Sequence, residues 1–365
     1  MPKIFELFGY PLSVHNPDTQ RCRQQACCPF TGQECDGGGN RYASYIDISS
    51  DSPLRKYFGN RDRVAAGVCS IQTSEKEAPW IVCPRRLFAF RHDSINFGKQ
   101  SIEDRALKLL GYSPGTKLGI WSELKLKFVE MLEDQEKIFD YTFDFIVAPL
   151  QDITKEELTL MLGDGWNIWR RVIERSGYTI RHRECTDVIE DCPAGIPGII
   201  EVMTASTSGG NKTKRTTITQ AFQDAILGKE HNAPGINKRQ IWARMVSQLI
   251  AKSEIALGWG GKALWIVQDA LIEYISLSTA LNIQKFISRN TDEVNLLSIT
   301  YGNQYTHSTG IIELQASEFY AGPISVGIQN GQSFQDIIRA PMRPPLKHLL
   351  RRLVESKPVR TVVVS

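Results

Sequence analysis

Apolar side chains recur along the chain in short, separated bursts, and their spacing assigns most of the regular elements. Leu118, Trp121, Leu124, Phe128, Met131 and Leu132 follow a three-to-four-residue spacing and predict a helix. Residues 141–148 and 198–203 are brief apolar runs, each broken by one carboxylate, and predict strands. Ile218, Ala221, Phe222, Ala225 and Ile226 mark one face of a helix that stops at Gly228. Trp242, Met245, Val246, Leu249, Ile250, Ser253, Ala256 and Leu257 mark a longer helix, stopped by Gly258. Residues 263–267 form a continuous apolar run of the kind that fills a central strand. The order helix, strand, strand, helix, helix, strand predicts a mixed α/β core, with a mixed central sheet flanked by helices.

The texture before that core is different. Residues 1–95 are dense in Cys, Pro, Gly and Arg and carry few periodic runs. Such a segment buries little apolar surface of its own and gains from a metal staple. The expected organisation is therefore a small N-terminal metal-binding domain over 1–95 and a core over 96–290. A less regular C-terminal part of the core follows over 291–365, ending in a basic stretch at 339–360. No internal repeat is present, and the only low-complexity tract is Gly37-Gly38-Gly39.

Composition narrows the class of protein without choosing it. The chain of 365 residues has 42% apolar and 23% charged residues, ordinary for a globular protein. Its net charge of +3 permits a polyanionic partner but does not require one. No run approaches the ~20 apolar residues of a membrane span. The first residues lack the apolar region and cleavage site of a secretory signal, so a cytoplasmic protein with reduced thiols is expected.

Under that expectation the eight cysteines read as metal ligands and bystanders rather than disulfides. Six lie within the first 83 residues. Cys28, Cys35, Cys69 and Cys83 each stand beside a Pro, a Gly or a short apolar run, as in a knuckle that turns its thiolate toward an ion. Four thiolates suit a tetrahedral Zn²⁺ or a single Fe, and softness does not choose between them. Cys27 is an alternative to Cys28, Cys22 reads as a bystander, and Cys185 and Cys192 fall in a loop-like segment. An isolated cysteine would read as an ordinary buried thiol.

Asp144 and Glu201 interrupt the two predicted strands. A carboxylate inside an apolar strand is costly to bury unless it is paired or holds a cation. Side by side, the two would offer hard oxygen ligands to Mg²⁺, which suits phosphodiester hydrolysis. Glu123, on the predicted helix before them, would add a third carboxylate. Most such pairs in proteins are simply salt-bridged. Residues 204–217 form a loop rich in hydroxyls and glycine, carrying Lys212, Lys214 and Arg215. Those groups position phosphate backbones, although the same composition describes a solvated loop. It is not a Walker loop, because no Gly-Lys-Ser/Thr opens the following helix.

Taken together these pieces resemble the NotI-like type II restriction endonucleases of the PD-(D/E)XK nuclease fold, through most of the chain. Cys28-Pro-Phe, Cys35, Val68-Cys69 and Trp80-Ile-Val-Cys83-Pro follow that family's cysteine framework in order, which implies a single-iron Cys₄ site. Phe143-Asp144 resembles the strand with the metal-binding aspartate. Gly198-Ile-Ile-Glu201-Val resembles the strand with the catalytic glutamate, and Ser122-Glu123-Leu124 the glutamate that completes the site. Residues 238–256, followed by Gly258 and Gly260, resemble the next helix and glycine turn. The resemblance implies a Mg²⁺-dependent endonuclease acting as a homodimer on double-stranded DNA, at a palindromic and GC-rich site.

One departure stands out. The fold normally has a lysine two residues beyond the glutamate, where NotI-like members resemble a Gln variant, and here that position is Met203. A thioether neither binds the attacking water strongly nor stabilises a developing anion. Lys212 or Lys214 from the loop, or Gln220 from the helix, is expected to take the role; otherwise the metal and carboxylates act alone. The alternatives are a catalytically inactive DNA-binding protein, in which Met203 marks a lost site, and a repair-type nuclease. Candidate base readers are Arg85 and Arg86, Arg170 and Arg171, and Arg181 with Arg183, since arginine is the usual partner of guanine.

Overall fold

The computed structural model describes residues 1–38, 45–90, 101–132, 135–183, 185–302, 305, 308–325 and 331–338. The basic stretch at 339–360 and Gly39 lie outside the described residues. In chain order the first part holds β1 (Lys3–Leu7), β2 (Tyr10–Pro11), α1 (Pro17–Gln24), β3 (Cys27–Cys28), β4 (Gln33–Glu34) and β5 (Tyr45–Asp47). It continues with α2 (Arg55–Phe58), β6 (Arg63–Ala65), β7 (Val68–Gln72), β8 (Trp80–Ile81) and α3 (Pro84–Leu87). Then come α4 (Ile102–Leu109), β9 (Leu118–Leu132), β10 (Gln135–Thr154), α5 (Lys155–Leu162), α6 (Trp166–Arg175), β11 (Ile180–Arg183) and β12 (Thr186–Pro193). The last group is β13 (Gly198–Met203), α7 (Ile218–Ile226), α8 (Lys238–Gly258), β14 (Ala263–Gln268), α9 (Asp269–Ser278), β15 (Val294–Thr300) and β16 (Gln315–Gly322).

The chain is a mixed α/β protein built on an eight-stranded sheet. Its strand order is β11-β12-β10-β13-β14-β15-β16, with β9 paired to β10. The pairs β13–β14 and β14–β15 are parallel and the remaining pairs antiparallel. All six residues of β13 and all six of β14 are buried, as expected for strands covered on both faces. Alternate side chains feed two clusters. Met203, Trp265, Val267 and Leu296 join Phe222 of α7 and Met245 and Leu249 of α8 on one side. Val202, Leu264, Ile266 and Leu297 join Leu87, Ala106 and Tyr301 on the other.

Two sequence expectations are corrected here. Residues 118–132 are a strand, not a helix, and the loop-like segment around Cys185 and Cys192 holds the antiparallel pair β11–β12. The reason for the first is visible in hindsight. Leu118, Ile120, Leu124, Leu126 and Phe128 also alternate, with Lys125 and Lys127 between them, and β10 offers a long partner that rewards the period of two. Leu118, Leu124 and Phe128 satisfied both periods.

Residues 1–90 do not stand apart from the sheet. Phe8 and Phe58 pack against Phe222 of α7, and Ile4 donates its N–H to His231. The Gln268 side chain at the end of β14 accepts from Ile81 N–H and donates to the Pro79 carbonyl. The firmest tie is ionic. Arg86 forks onto Glu6 and also donates to the Ile312 carbonyl, while Ser70 and Tyr301 hydroxyls donate to the same carboxylate. Burial pushes the Tyr301 hydroxyl well above its usual range, so it stays a donor. Arg86→Met is expected to lower stability by about 3–5 kcal/mol, because it strands the fully buried Glu6. Urea denaturation reads this directly, and a loss within the ~0–1 kcal/mol of surface pairs would show Glu6 finding solvent.

Candidate functional site

Three carboxylates stand on three neighbouring strands. Asp144 lies on β10 and Glu201 on β13, one step beyond the Phe145–Ile200 pair. Glu123 lies on β9 between the Ser122–Phe145 and Leu124–Phe143 pairs, opposite Asp144. The strand alternation slips at this point. Phe143 and Ile146 share one cluster, while Phe145 and Val147 lie in the opposite one. Glu123 itself takes a left-handed φ of 54°, a strained choice for a residue with a Cβ. Such strain, of order 1–3 kcal/mol, gathers where a side chain must be aimed.

Asp144 and Glu201 are 6% and 2% exposed. One Asp144 oxygen accepts the Val202 N–H at 2.8 Å, and the Asp144 N–H points to a Glu201 oxygen at 3.3 Å. The other Glu201 oxygen accepts from Lys252 Nζ at 2.6 Å, and that ammonium also donates to the Thr142 carbonyl at 2.8 Å. Lys252 is 2% exposed and sits above the Phe143 ring. It belongs to α8, whose buried stripe runs Ile241, Met245, Leu249, Lys252, Ala256. Asn237 opens this helix by accepting the Gln240 N–H.

Sequence reasoning missed Lys252. The signal was available, since a lysine three residues beyond Leu249 falls on the apolar face of the helix. The groups named instead lie elsewhere. Lys212 and Lys214 are exposed, in a loop held by bonds of Asn211 to Thr216 and Lys214. Gln220 donates to the Lys212 carbonyl and accepts from Thr217. Met203 is buried in the main apolar cluster, on the same side of β13 as Glu201. Glu123 lies on a strand rather than a helix, and its carboxylate meets Arg85 at 3.3 Å.

Oxygen donors of this kind suit a hard divalent cation. Glu201 pairs with the Lys252 ammonium, and Asp144 stands beside it on the neighbouring strand, so oxygen donors and a cation are gathered at one point of the sheet. Asp144 and Glu201 are the residues that would hold Mg²⁺, while the Glu123 carboxylate turns to Arg85 and forms no three-ligand group with them.

The four expected cysteines also come together. Cys28, Cys35, Cys69 and Cys83 line one small cavity of about 10 Å³, with Phe8, Gly37 and Gly38 around it. A backbone N–H is turned toward one of the sulfurs. Gly9 donates its N–H to the Cys69 sulfur at 3.3 Å. Burial pushes the Cys28 and Cys35 thiols up. A thiol–thiol hydrogen bond between Cys69 and Cys83, both free cysteines, raises the first thiol and lowers the second. Cys22 and Cys27 stay outside the cavity, where the Cys22 thiol bonds to the Cys27 carbonyl. Among the described residues no group of three or more His, Cys, Asp or Glu is drawn into ready metal-ligating geometry.

The candidate base readers divide. Arg86 is buried on Glu6 and is withdrawn from any groove, which corrects that expectation. Arg85 is held between Asp36, beside Cys35, and Glu123, so it links the cysteine loop to the carboxylate strand. Arg170 pairs with Glu174, and Arg181 and Arg183 with Glu190, all on the surface. Arg171 is exposed on α6. No helix among the described residues is long and apolar enough to cross a membrane. No protein-family model, curated protein or solved structure matches the chain.

Proposed function

We propose that the chain is a Mg²⁺-dependent endonuclease of the PD-(D/E)XK type that cuts double-stranded DNA, with Lys252 in the place of the lysine missing at position 203. The single observation that carries this reading is the buried contact of Lys252 with Glu201, beside Asp144. A lysine two residues after the glutamate would project from β13 on the Glu201 side. Lys252 brings an ammonium to that same side from α8, across the space Met203 leaves to carbon.

Bound Mg²⁺ would supply charge neutralisation at the phosphate and acidify water for attack. The chain's own groups do the positioning. Asp144 is fixed by the Val202 amide, and Glu201 is fixed between the Asp144 amide and Lys252. Lys252, held by the Thr142 carbonyl, is placed to orient a water and to stabilise negative charge as it develops. Arg85 stands at the Glu123 edge as a phosphate contact. Sequence-specific cutting of both strands by a two-fold homodimer follows from this reading, one site per strand. We assign the four-cysteine cavity to a structural Fe or Zn, since four thiolates close the shell of either ion.

Asp144→Ala and Glu201→Ala are each expected to abolish Mg²⁺-dependent plasmid cleavage while DNA binding is kept or tightened. Each removes a metal ligand together with a negative charge that faces phosphate. Cleavage by either variant at the wild-type rate would remove the assignment. Binding without any cutting by the wild-type chain in Mg²⁺ would instead favour an inactive DNA-binding protein, and cutting without sequence preference a repair-type nuclease.

A further inference from the structure

Arg85 stands between the cysteine cavity and the carboxylate strands. Its support rises from the cavity at two points, since Arg85 lies two residues beyond Cys83 and Asp36 follows Cys35. From there the guanidinium reaches β9. Its Nε and Nη2 both donate to one Asp36 oxygen at 3.4 Å, and Nη2 is shared with a Glu123 oxygen at 3.3 Å. Nη1 makes no bond among the described residues. These contacts are long for charge-assisted bonds, which run about 2.7–2.9 Å. The Glu123 side chain is also 44% exposed, so its pair with Arg85 is of the weak, solvent-screened kind.

Glu123 is the carboxylate left outside. It holds the ladder position opposite Asp144, where facing side chains are ordinarily neighbours. Its left-handed φ of 54° is a conformation that its surroundings must hold in place. Among the described residues its ion-pair partner is Arg85, and it forms no three-ligand group with Asp144 and Glu201. Arg85 and a divalent cation are thus alternative counter-charges for one carboxylate. Phosphate is the stronger partner for a guanidinium, because it accepts two parallel N–H bonds, and Nη1 is open to supply one.

We propose that Arg85 withholds Glu123 from the cation site in the free chain and releases it when a DNA phosphate takes the guanidinium. No covalent bond changes. Phosphate replaces Glu123 at Arg85, and Glu123 turns toward Asp144 to offer the ion another oxygen. The cysteine cavity keeps Arg85 in place throughout, because Arg85 and Asp36 are both rooted there. Arg85 is therefore a positioning residue that makes cation and DNA binding mutually reinforcing. The inference rests on the nuclease reading for the identity of the site, and its test reads binding rather than cutting.

Mn²⁺ binding to the full chain without DNA, followed by electron paramagnetic resonance, is the first measurement. Arg85→Gln is expected to bind the ion about fivefold tighter than the wild type, the scale of a half-exposed ion pair. In a Glu123→Gln background the same substitution should bring no gain. A gain that persists there makes Arg85 only a distant like charge, and it overturns the inference, as does Arg85→Gln at or below wild-type affinity. Damage to the fold would lower affinity rather than raise it. The second measurement does not depend on the Arg85 variant. Mn²⁺ should strengthen the wild type's hold on a fluorescent duplex of arbitrary sequence, and Glu123→Gln should cut that strengthening about fivefold, since linkage runs both ways. Equal strengthening of wild type and Glu123→Gln overturns the inference. Asp144→Asn tells the two failures apart. An ion indifferent to Asp144 sinks the nuclease site and this inference together, whereas an ion that needs Asp144 but ignores Arg85 sinks the inference alone.

Discussion

Lys252→Met is expected to lower the single-turnover rate of DNA cleavage by about two orders of magnitude or more, the effect of losing one positioned donor at a developing anion. DNA binding should change little, because Lys252 is buried and contributes no surface charge. Lys212→Ala and Lys214→Ala are expected to cut at close to the wild-type rate, since both side chains lie in the exposed loop. The substitution also strands Glu201, so a stability loss of about 3–5 kcal/mol accompanies it. Two further measurements separate the effects. Lys252→Met with Glu201→Gln should recover stability but no activity. Lys252→Met with Met203→Lys should recover part of the rate, because the new ammonium would arise from β13 on the Glu201 side. Wild-type cleavage by a folded Lys252→Met chain would return the ion pair to a purely structural role.

Cys69→Ser is expected to have the largest effect on folding. Elemental analysis of the freshly purified wild-type chain should find about one Fe or Zn, and the variant should carry none. Loss of a structural zinc site forfeits on the order of 10 kcal/mol, comparable with the whole stability of a typical domain. The variant should therefore be insoluble, or melt far below the wild type. The consequence reaches beyond the knuckle. Cys69 lies on β7, beside the Ser70 that donates to Glu6, and Cys83 immediately precedes α3, which carries Arg85 and Arg86. Cys22→Ser and Cys27→Ser should leave the metal content unchanged, as both lie outside the cavity. Wild-type protein free of Fe and Zn, with Cys69→Ser melting normally, would make the four thiols an ordinary buried cluster.

The strands carrying Asp144 and Glu201 were legible because each is an apolar run with one carboxylate, an anomaly that survives in any context. The fully buried β14 and the helices α7 and α8 were legible for a similar reason: burial writes a period into the residues it covers. The cysteine set was legible as a set, although only the structure separates Cys28 from Cys27. These are local statements, and local patterning carries them.

What only the tertiary structure decided is who meets whom. Leu118, Leu124 and Phe128 fit both periods, and pairing with β10 chose the strand, because a long partner supplies the backbone bonds that a strand cannot make within itself. Lys252 and Glu201 lie 51 residues apart. Their contact depends on α8 crossing β13 at one height, a packing outcome that no spacing rule encodes. The retirement of Arg86 to Glu6 is of the same kind, since a buried arginine and an exposed one read identically along the chain. Sequence by itself determined which residues are out of place in an apolar element. Three-dimensional packing determined which of them compensate one another, because a buried charge is settled by its nearest neighbour in space rather than along the chain.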